Sequence, residues 1–176
     1  MAQAPVDAVL KAWEGAGYYS RARRLHALSH RVMLSSGEGG FDGRLPSSYD
    51  ELLSLPGIGP YTAAAVASIA FGQPVACVDG NIRRVMARQT AQLNPTQKDV
   101  QRWADASLEV ERPGDWNQAL MELGATVCTP KRVGCNHCPV AASCEGRSTP
   151  ERYPLPKPQR IKTVVMTAVV DHDAQG

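Results

Sequence analysis

Leu55-Pro-Gly-Ile-Gly-Pro-Tyr61 is the stretch that decides the fold, and Asp79 follows eighteen residues later in Val-Asp-Gly-Asn. Two glycines in a tight turn between two helical runs let the backbone approach another molecule closely. A phosphate is the partner that this turn predicts, because a helix N-terminus offers free N–H groups and a positive dipole end. A carboxylate at a fixed distance from a phosphate grip suits chemistry on a nucleotide sugar. These residues alone also fit an ordinary helix–turn–helix corner with a capping aspartate.

Size and composition are compatible with one domain or slightly more. The chain has 176 residues, of which 43% are hydrophobic, and a net charge of +2. It has no apolar run long enough to span a membrane and no secretion signal at its N-terminus. Basic residues cluster locally, as phosphate binding requires, although solvated helix faces would also account for them. The clusters are Arg21, Arg23 and Arg24; Arg83, Arg84 and Arg88; and Lys131 with Arg132.

Apolar spacing and capping residues predict an all-α fold. Helices are expected over about 5–14, from a Ser20 cap, from Ser47 or Ser48 through Leu53, and over 60–71. The run 60–71 is apolar all round and rich in alanine, so we expect that helix to be buried. Further helices are expected from Asn81 to about Gln89, after a Thr96 cap, and from Asp115 as far as Cys128.

The sequence changes character after Cys144. Residues 146–161 are rich in proline and basic residues, which predicts a linker. Lys162 to Val170 is apolar and β-branched, which predicts a strand. One strand is not stable alone, so it is expected to open a second domain. The predicted organisation is a helical domain over 1–127 with a hairpin at about 48–71, a cysteine loop over 128–145, the linker, and the start of a second domain over 162–176.

Four of the five cysteines form a compact array, Cys128-x6-Cys135-x2-Cys138-x5-Cys144. Close spacing without a secretory signal indicates a metal centre rather than disulfides. Four thiolates can close around zinc, and they can equally hold an iron–sulfur cube. His137 lies inside the tight pair and is interpreted as a bystander, because four cysteines already complete a set. The fifth cysteine, Cys77, lies in an apolar run and is expected in the core.

Taken together, these motifs resemble the helix-hairpin-helix DNA glycosylases that carry a 4Fe–4S cluster. Two further stretches, Trp13-Glu-Gly-Ala-Gly-Tyr-Tyr-Ser-Arg-Ala-Arg23 and Asn117-Gln-Ala-Leu-Met-Glu-Leu-Gly-Ala-Thr-Val-Cys128, resemble the MutY-type adenine DNA glycosylases. The resemblance covers about residues 5–150. It implies part of a six-helix barrel with the hairpin, a 4Fe–4S loop at the four cysteines, and a terminal strand from a truncated Nudix-like domain.

The resemblance also implies roles for individual residues. Asp79 would stabilise the oxocarbenium-like sugar, and Asn81 and Tyr61 would position the reacting groups. Gln118 would read the edge of the extruded adenine, and Tyr18 would wedge beside 8-oxoguanine. The remaining DNA contacts would come from the hairpin, the cluster loop and the catalytic helix, with a cation at the hairpin carbonyls. These DNA-binding residues are Gly57, Gly59, Lys131, Arg132 and Arg84, of which Arg84 also matches a residue that links the catalytic helix to the cluster region.

Three positions distinguish the chain within this resemblance. Endonuclease III-type enzymes carry a lysine where Tyr61 stands, and a phenol cannot form the Schiff base that leads to strand cleavage. Tyr61 therefore predicts base removal alone. Ala16 replaces the leucine usual in the Trp13 motif. The family's proton-donating glutamate lies upstream of that motif and has no counterpart here. The isolated chain is therefore expected to be poorly soluble or inactive, and robust adenine release would overturn that expectation.

The implied function is hydrolytic excision of adenine from A·8-oxoguanine or A·G pairs in double-stranded DNA by a monomer. A thymine- or pyrimidine-specific enzyme, a non-catalytic DNA-binding module and a zinc-held structural domain are the alternatives. A nuclear or mitochondrial location is expected in a eukaryote and a cytoplasmic one in a bacterium, with no membrane partner.

Overall fold

The computed structural model describes residues 1–156 and 164–166, and these residues are predominantly helical. Their α-helices are α1 (Val6–Ala12), α2 (Tyr19–Met33), α3 (Tyr49–Leu53), α4 (Pro60–Phe71), α5 (Gly80–Gln89), α6 (Gln97–Ser107) and α7 (Pro113–Glu122). No β-strand occurs within the described ranges, where Cys128 and Val133 form an isolated antiparallel bridge. The all-α prediction is confirmed for this part of the chain.

Helices α3 and α4 form the predicted hairpin around the Gly-Ile-Gly turn. Ser48 caps α3 by accepting a hydrogen bond from the Glu51 N–H at 3.3 Å, and Pro60 begins α4. Gly57 has φ +82°, and a Cβ there would lie 2.7 Å from the Cβ of Arg24. Only glycine adopts that conformation at low cost and leaves room for α2. The turn is therefore fixed by backbone sterics.

Helix α4 packs against both α3 and α7, and two apolar clusters lie along it. One cluster joins α3 to α4 through Leu52, Leu55, Ala63 and Ala67. The other is formed by Ala64, Cys77, Ile82, Met86 and Val100. The small side chains of α4 let its neighbours come close, as at Gly114, where a Cβ would lie 2.9 Å from the Ser68 carbonyl oxygen. Cys77 is fully buried, as predicted.

Three helix predictions need correction. Helix α2 begins at Tyr19 after Tyr18 in the left-handed region, so Ser20 lies inside the helix and does not cap it. Helix α4 is not buried all round, because Ile69 and Phe71 on its outer side remain 44% and 38% exposed. Helix α7 begins at Pro113, two residues before Asp115, and passes at its end into a π-helical turn over Leu123–Val127. That turn delivers Cys128.

The segment after Cys144 runs back over the helical body up to residue 155. The Gly146 N–H donates to the Arg88 carbonyl at 2.8 Å, and the Leu155 N–H donates to the Leu93 carbonyl at 2.8 Å. Most of the predicted strand lies outside the described residues, and residues 164–166 show no regular secondary structure. Among the described helices, none has the length and hydropathy needed to cross a bilayer.

Candidate active site and cysteine cluster

Asp79 is the N-cap of α5, where two hydrogen bonds hold its carboxylate. Oδ1 accepts the Ile82 backbone N–H at 2.8 Å, and Oδ2 accepts the Asn81 side-chain amide at 3.0 Å. The residue is half-buried. A carboxylate fixed at a helix N-terminus keeps its orientation, and the positive end of the dipole favours its negative charge. Asp79 is therefore both a capping residue and a positioned, accessible carboxylate.

The segment leading into Asp79 is fixed by Asn117 on α7. The Asn117 side chain is fully buried; its oxygen accepts the Cys77 N–H at 3.0 Å, and its nitrogen donates to Ser68 Oγ at 2.8 Å and to the Val75 carbonyl at 2.9 Å. A satisfied buried amide specifies one backbone arrangement. From sequence, Asn117 was recognised only as the start of a motif, and its positioning role was not predicted.

Tyr61 stands on the first turn of α4 close to Asp79. Its hydroxyl donates to Met121 Sδ at 3.0 Å, and 41% of the side chain is exposed. Desolvation raises the pKa of the phenol, and the negative charge of Asp79 raises it further. Tyr61 is therefore a neutral hydroxyl beside the carboxylate at neutral pH. The same desolvation raises the pKa of the nearby buried Cys77 thiol to about 11, so that thiol stays protonated.

A chain of hydrogen bonds connects Asp79 with the backbone of the first cysteine of the array. Asn81 binds Asp79 through its amide nitrogen, and its oxygen accepts from Arg84 Nη2 at 2.9 Å. Arg84 also donates to the Cys128 carbonyl at 2.7 Å and to the Gly124 carbonyl at 2.5 Å. Partial burial lowers the pKa of the Arg84 guanidinium, and the charge of Arg88 adds to that effect. Arg84 thus links α5 to the cysteine loop.

Gly124 allows this connection to form. A Cβ at position 124 would lie 2.6 Å from the Asn81 Cβ, inside any real contact distance. The π-helical turn and α5 can therefore touch only when this position has no side chain. The glycine brings the end of α7 directly against Asn81.

The residues predicted to meet DNA lie at the surface. Tyr18 is 80% exposed and has φ +47°, and Gln118 is exposed with its amide on the Gly114 carbonyl at 3.1 Å. Lys131 and Arg132 are exposed in the loop between the first two cysteines, where the Arg132 N–H donates to Thr129 Oγ1 at 3.2 Å. Tyr18 is therefore not a core residue. The DNA contacts of all four residues stay predictions.

The two hairpin glycines are not equivalent. Gly57 is exposed at the turn and packs on Arg24, as described above. Gly59 is the N-cap of α4 with φ −99°, and a Cβ there would meet nothing within 4 Å. The open space around Gly59 leaves the first amides of α4 accessible, as an anion would require.

The four clustered cysteines line one small, partly open cavity. No three His, Cys, Asp or Glu side chains in residues 1–156 or 164–166 converge closely enough to hold a single metal ion. The other walls of the cysteine cavity include the apolar side chains of Val85, Leu123, Val127 and Val140. Burial raises the pKa of the Cys144 thiol, and the Gly146 backbone N–H opposes that rise. The donor set is four sulfurs around a shared, largely apolar space, which fits a group held by thiolates.

Arg88 is the buried cation of this cavity and was missed as a functional residue. It is 3% exposed; Nη1 donates to Cys128 Sγ at 3.3 Å and to the Thr129 carbonyl at 2.8 Å. Nε donates to the carbonyls of Pro150 at 2.8 Å and Tyr153 at 3.1 Å. The sequence signal was present, since Arg84 and Arg88 are four residues apart and share a face of α5. Arg88 joins the cysteine loop to the segment that follows it.

A glycine-hinged hairpin, a capping carboxylate and a four-cysteine loop on a helical frame define the class of protein. The sequence model described as "HhH-GPD superfamily base excision DNA repair protein" matches residues 1–108, and the chain belongs to this superfamily. The chain is similar to the adenine DNA glycosylase of Homo sapiens, with 45% identity over 161 residues. It is also similar to that of Arabidopsis thaliana, with 42% identity over 166 residues. The resemblance to adenine DNA glycosylases is thus confirmed.

Each alignment covers most of this chain but only a small part of the relative. The human alignment covers 88% of this chain and 29% of the relative, and the Arabidopsis alignment covers 92% and 25%. The chain thus spans less than a third of these relatives. A solved thermostable thymine-DNA glycosylase superposes with a TM-score of 0.73 at 30% identity, over 84% of this chain and 68% of that one. Endonuclease III in a non-covalent DNA complex gives 0.69 at 24% identity, over 82% and 66%, which supports the fold alone.

Proposed function

We propose that the chain carries the sugar-stabilising and DNA-gripping part of an adenine DNA glycosylase acting on A·8-oxoguanine pairs. The observation that supports this most directly is the Asp79 carboxylate, which is fixed at the N-terminus of α5 beside Tyr61 and remains accessible. Similarity to adenine DNA glycosylases at 42–47% identity favours adenine as the base.

In the proposed reaction the bond between the sugar C1′ and the adenine nitrogen breaks, and the electron pair leaves with the base. The positive charge that develops on the sugar is stabilised by Asp79. Asn81 holds the carboxylate in register through its 3.0 Å hydrogen bond. Water then supplies hydroxide to C1′ and a proton to the base, so that an abasic site and free adenine result. Tyr61 offers no amine for strand cleavage.

DNA binding is proposed to involve several exposed groups. The hairpin turn of Gly57 and Gly59 and the first amides of α4 would hold a phosphate, with a cation on the hairpin carbonyls. Tyr18 would fill the gap left by the extruded base, because an aromatic side chain that is 80% exposed has free faces for stacking. Gln118 would read the base, and Lys131 and Arg132 would contact backbone phosphates.

The cysteine cavity is proposed to hold a 4Fe–4S cluster. Cys128, Cys135, Cys138 and Cys144 would ligate it, and the Arg88 guanidinium would offset part of its negative charge. The cluster would supply a structural cross-link for the loop that carries Lys131 and Arg132. Stoichiometric zinc in a colourless protein, in place of iron and inorganic sulfide, would overturn this proposal.

A chimera tests the catalytic proposal. Residues 1–156 replace the aligned segment of the human adenine DNA glycosylase, and single-turnover release of adenine opposite 8-oxoguanine is measured. Asp79→Asn should lower the rate about 10²–10⁴-fold, because an amide cannot stabilise the sugar cation. Asp7→Asn, on the exposed face of α1, is the control and should retain the rate. Unchanged turnover in Asp79→Asn would show that this segment contributes only DNA binding and not the chemical step. Release of thymine from T·G in place of adenine would favour the pyrimidine-specific alternative.

A further inference from the structure

Two histidines and a backbone carbonyl converge at a second place, on α2. His26 and His30 lie one turn apart, and their Nε2 atoms are 3.2 Å from each other. The carbonyl oxygen of Ala4, just before α1, lies 2.8 Å from His26 Nε2. The rings meet edge to face with centroids 4.5 Å apart. Three polar atoms therefore share a small volume.

Tautomers decide what this arrangement can bind. The Ala4 oxygen can only accept a hydrogen bond, and a neutral imidazole Nε2 is either a donor or an acceptor. If His26 carries its proton on Nε2, that proton serves the carbonyl; if His30 carries its proton on Nε2, it donates to His26 Nε2. If both rings carry the proton on Nδ1, all three lone pairs face one another and call for a shared cation. A divalent metal satisfies that last arrangement.

The spacing of the two imidazole nitrogens fits one metal ion. Ligating imidazoles hold a metal at about 2.0–2.1 Å. Two nitrogens 3.2 Å apart and each about 2.1 Å from one point subtend an angle of about 100° there, between the octahedral and tetrahedral values. Histidines at i and i+4 on one helix face are the spacing used by helical zinc sites. The geometry requires little rearrangement before a metal can bind.

The surroundings leave space for the remaining ligands. A shallow surface depression adjoins both rings and is lined also by Ala2, Gln3, Pro5 and Met33. His30 is exposed, so water can complete the coordination. No third His, Cys, Asp or Glu side chain joins the two histidines in the described residues, which makes the site two-imidazole in type.

We propose that His26 and His30 form a second metal site, separate from the cysteine cavity, for a divalent ion that favours imidazole, such as Zn²⁺ or Ni²⁺. The Ala4 carbonyl is its third protein ligand. The bound ion ties the residues before α1 to the middle of α2. It thereby stabilises the packing of α1 against α2, the two helices on either side of Tyr18.

Nickel titration of the full 176-residue chain tests the proposal. The cysteine site is filled beforehand with the proposed 4Fe–4S cluster, so that the thiolates do not bind nickel. The signals of the histidine rings are followed by NMR, and the apparent stability is followed as Tm. The expected result is one saturable site. Its nickel ion broadens the NMR signals of His26 and His30 first, and its occupation raises Tm. His30→Gln should weaken nickel binding about tenfold or more, since a lost ligand costs at least as much as a lost outer-shell partner. It should also abolish the Tm increase.

The other two histidines of the chain provide matched controls. His137→Gln, in the cysteine loop, and His172→Gln, outside the described residues, should leave nickel affinity unchanged. Equal nickel binding by the wild-type chain and His30→Gln would overturn the proposal. So would the absence of saturable binding to a chain whose helical circular dichroism is intact.

Discussion

At the residue scale, the side chain that holds the segment before Asp79 in place is adjacent to one predicted to touch the substrate. Asn117 is fully buried and makes three hydrogen bonds, whereas Gln118 is exposed on the next position of α7. Two neighbouring amides thus have opposite structural roles. Residue type does not distinguish them, because both side chains are amides; their positions around the axis of α7 decide which one faces Cys77.

This pair gives a stability prediction. Asn117→Ala leaves the Cys77 N–H and the Val75 carbonyl without partners inside the core, and each unsatisfied group costs about 1–3 kcal/mol. The free energy of unfolding should therefore fall by about 2–5 kcal/mol in urea titrations. Gln118→Ala should change it by no more than about 0.5 kcal/mol. Similar losses in both variants would show that the buried amide does not fix the segment.

Asp79, Tyr61 and the four cysteines could be located from sequence, because each sits in a short motif whose spacing reflects local geometry. Arg88 could be placed on the same face of α5 as Arg84, but its partners at Pro150 and Tyr153 could not be predicted, since they are more than sixty residues away. No local pattern encodes a contact of that range. The left-handed conformation of Tyr18 was also missed, because a non-glycine residue there is unfavourable and propensity rules argue against it.

At the scale of elements, the hairpin depends on one glycine more than on the other. Gly57 is held at positive φ against Arg24, whereas Gly59 has ordinary backbone angles and open space. The glycine-rich turn was predicted from sequence as a pair. The difference between its members emerges only from the packing of α2 against the turn.

The hairpin therefore predicts an asymmetric response to alanine. Gly57→Ala should lower the free energy of unfolding by about 1–3 kcal/mol, because left-handed strain adds to the 2.7 Å clash with Arg24. Gly59→Ala should cost less than about 1 kcal/mol, since its φ suits alanine. Thermal unfolding of both variants tests this. A Gly59→Ala protein as destabilised as Gly57→Ala would contradict the structural assignment.

Helix positions were otherwise predicted well where capping and apolar spacing agree, as in α3 and α6: Thr96 was identified as a cap, and Ser48 was one of the two caps predicted for α3. The end of α7 was not predicted correctly. Its π-helical turn arises because Gly124 must meet Asn81, a tertiary demand that overrides the local helical pattern.

At the scale of the whole molecule, the helical body and the cysteine loop form one hydrogen-bonded unit. Arg84 reaches the loop from the middle of α5, and Arg88 reaches it from one turn further along the same helix. The segment 146–155 then closes over Arg88 and Leu93. The linker expected at residue 146 is therefore anchored over its first ten residues.

Removing the Arg88 side chain should release this segment. Arg88→Ala leaves carbonyls of Thr129, Pro150 and Tyr153 without their donor, and each unsatisfied buried carbonyl costs about 1–3 kcal/mol. Hydrogen exchange at the Gly146 and Leu155 amides should accelerate well beyond that of the helical core. Arg102→Ala, whose side chain is 80% exposed in a surface ion pair, is the control and should leave both amides protected. Unchanged protection in Arg88→Ala would show that other contacts hold the segment.

The reach of Arg88 also constrains the order in which the chain matures on the ribosome. Helix α5 is synthesised more than sixty residues before Pro150 and Tyr153, the acceptors of the Arg88 Nε–H. Until they emerge, a guanidinium placed in its final position would lie in an apolar wall without part of its hydrogen bonding, at considerable cost. Final docking of α5 must therefore wait for the end of the cysteine segment, so nascent chains halted before residue 150 would hold that helix only loosely.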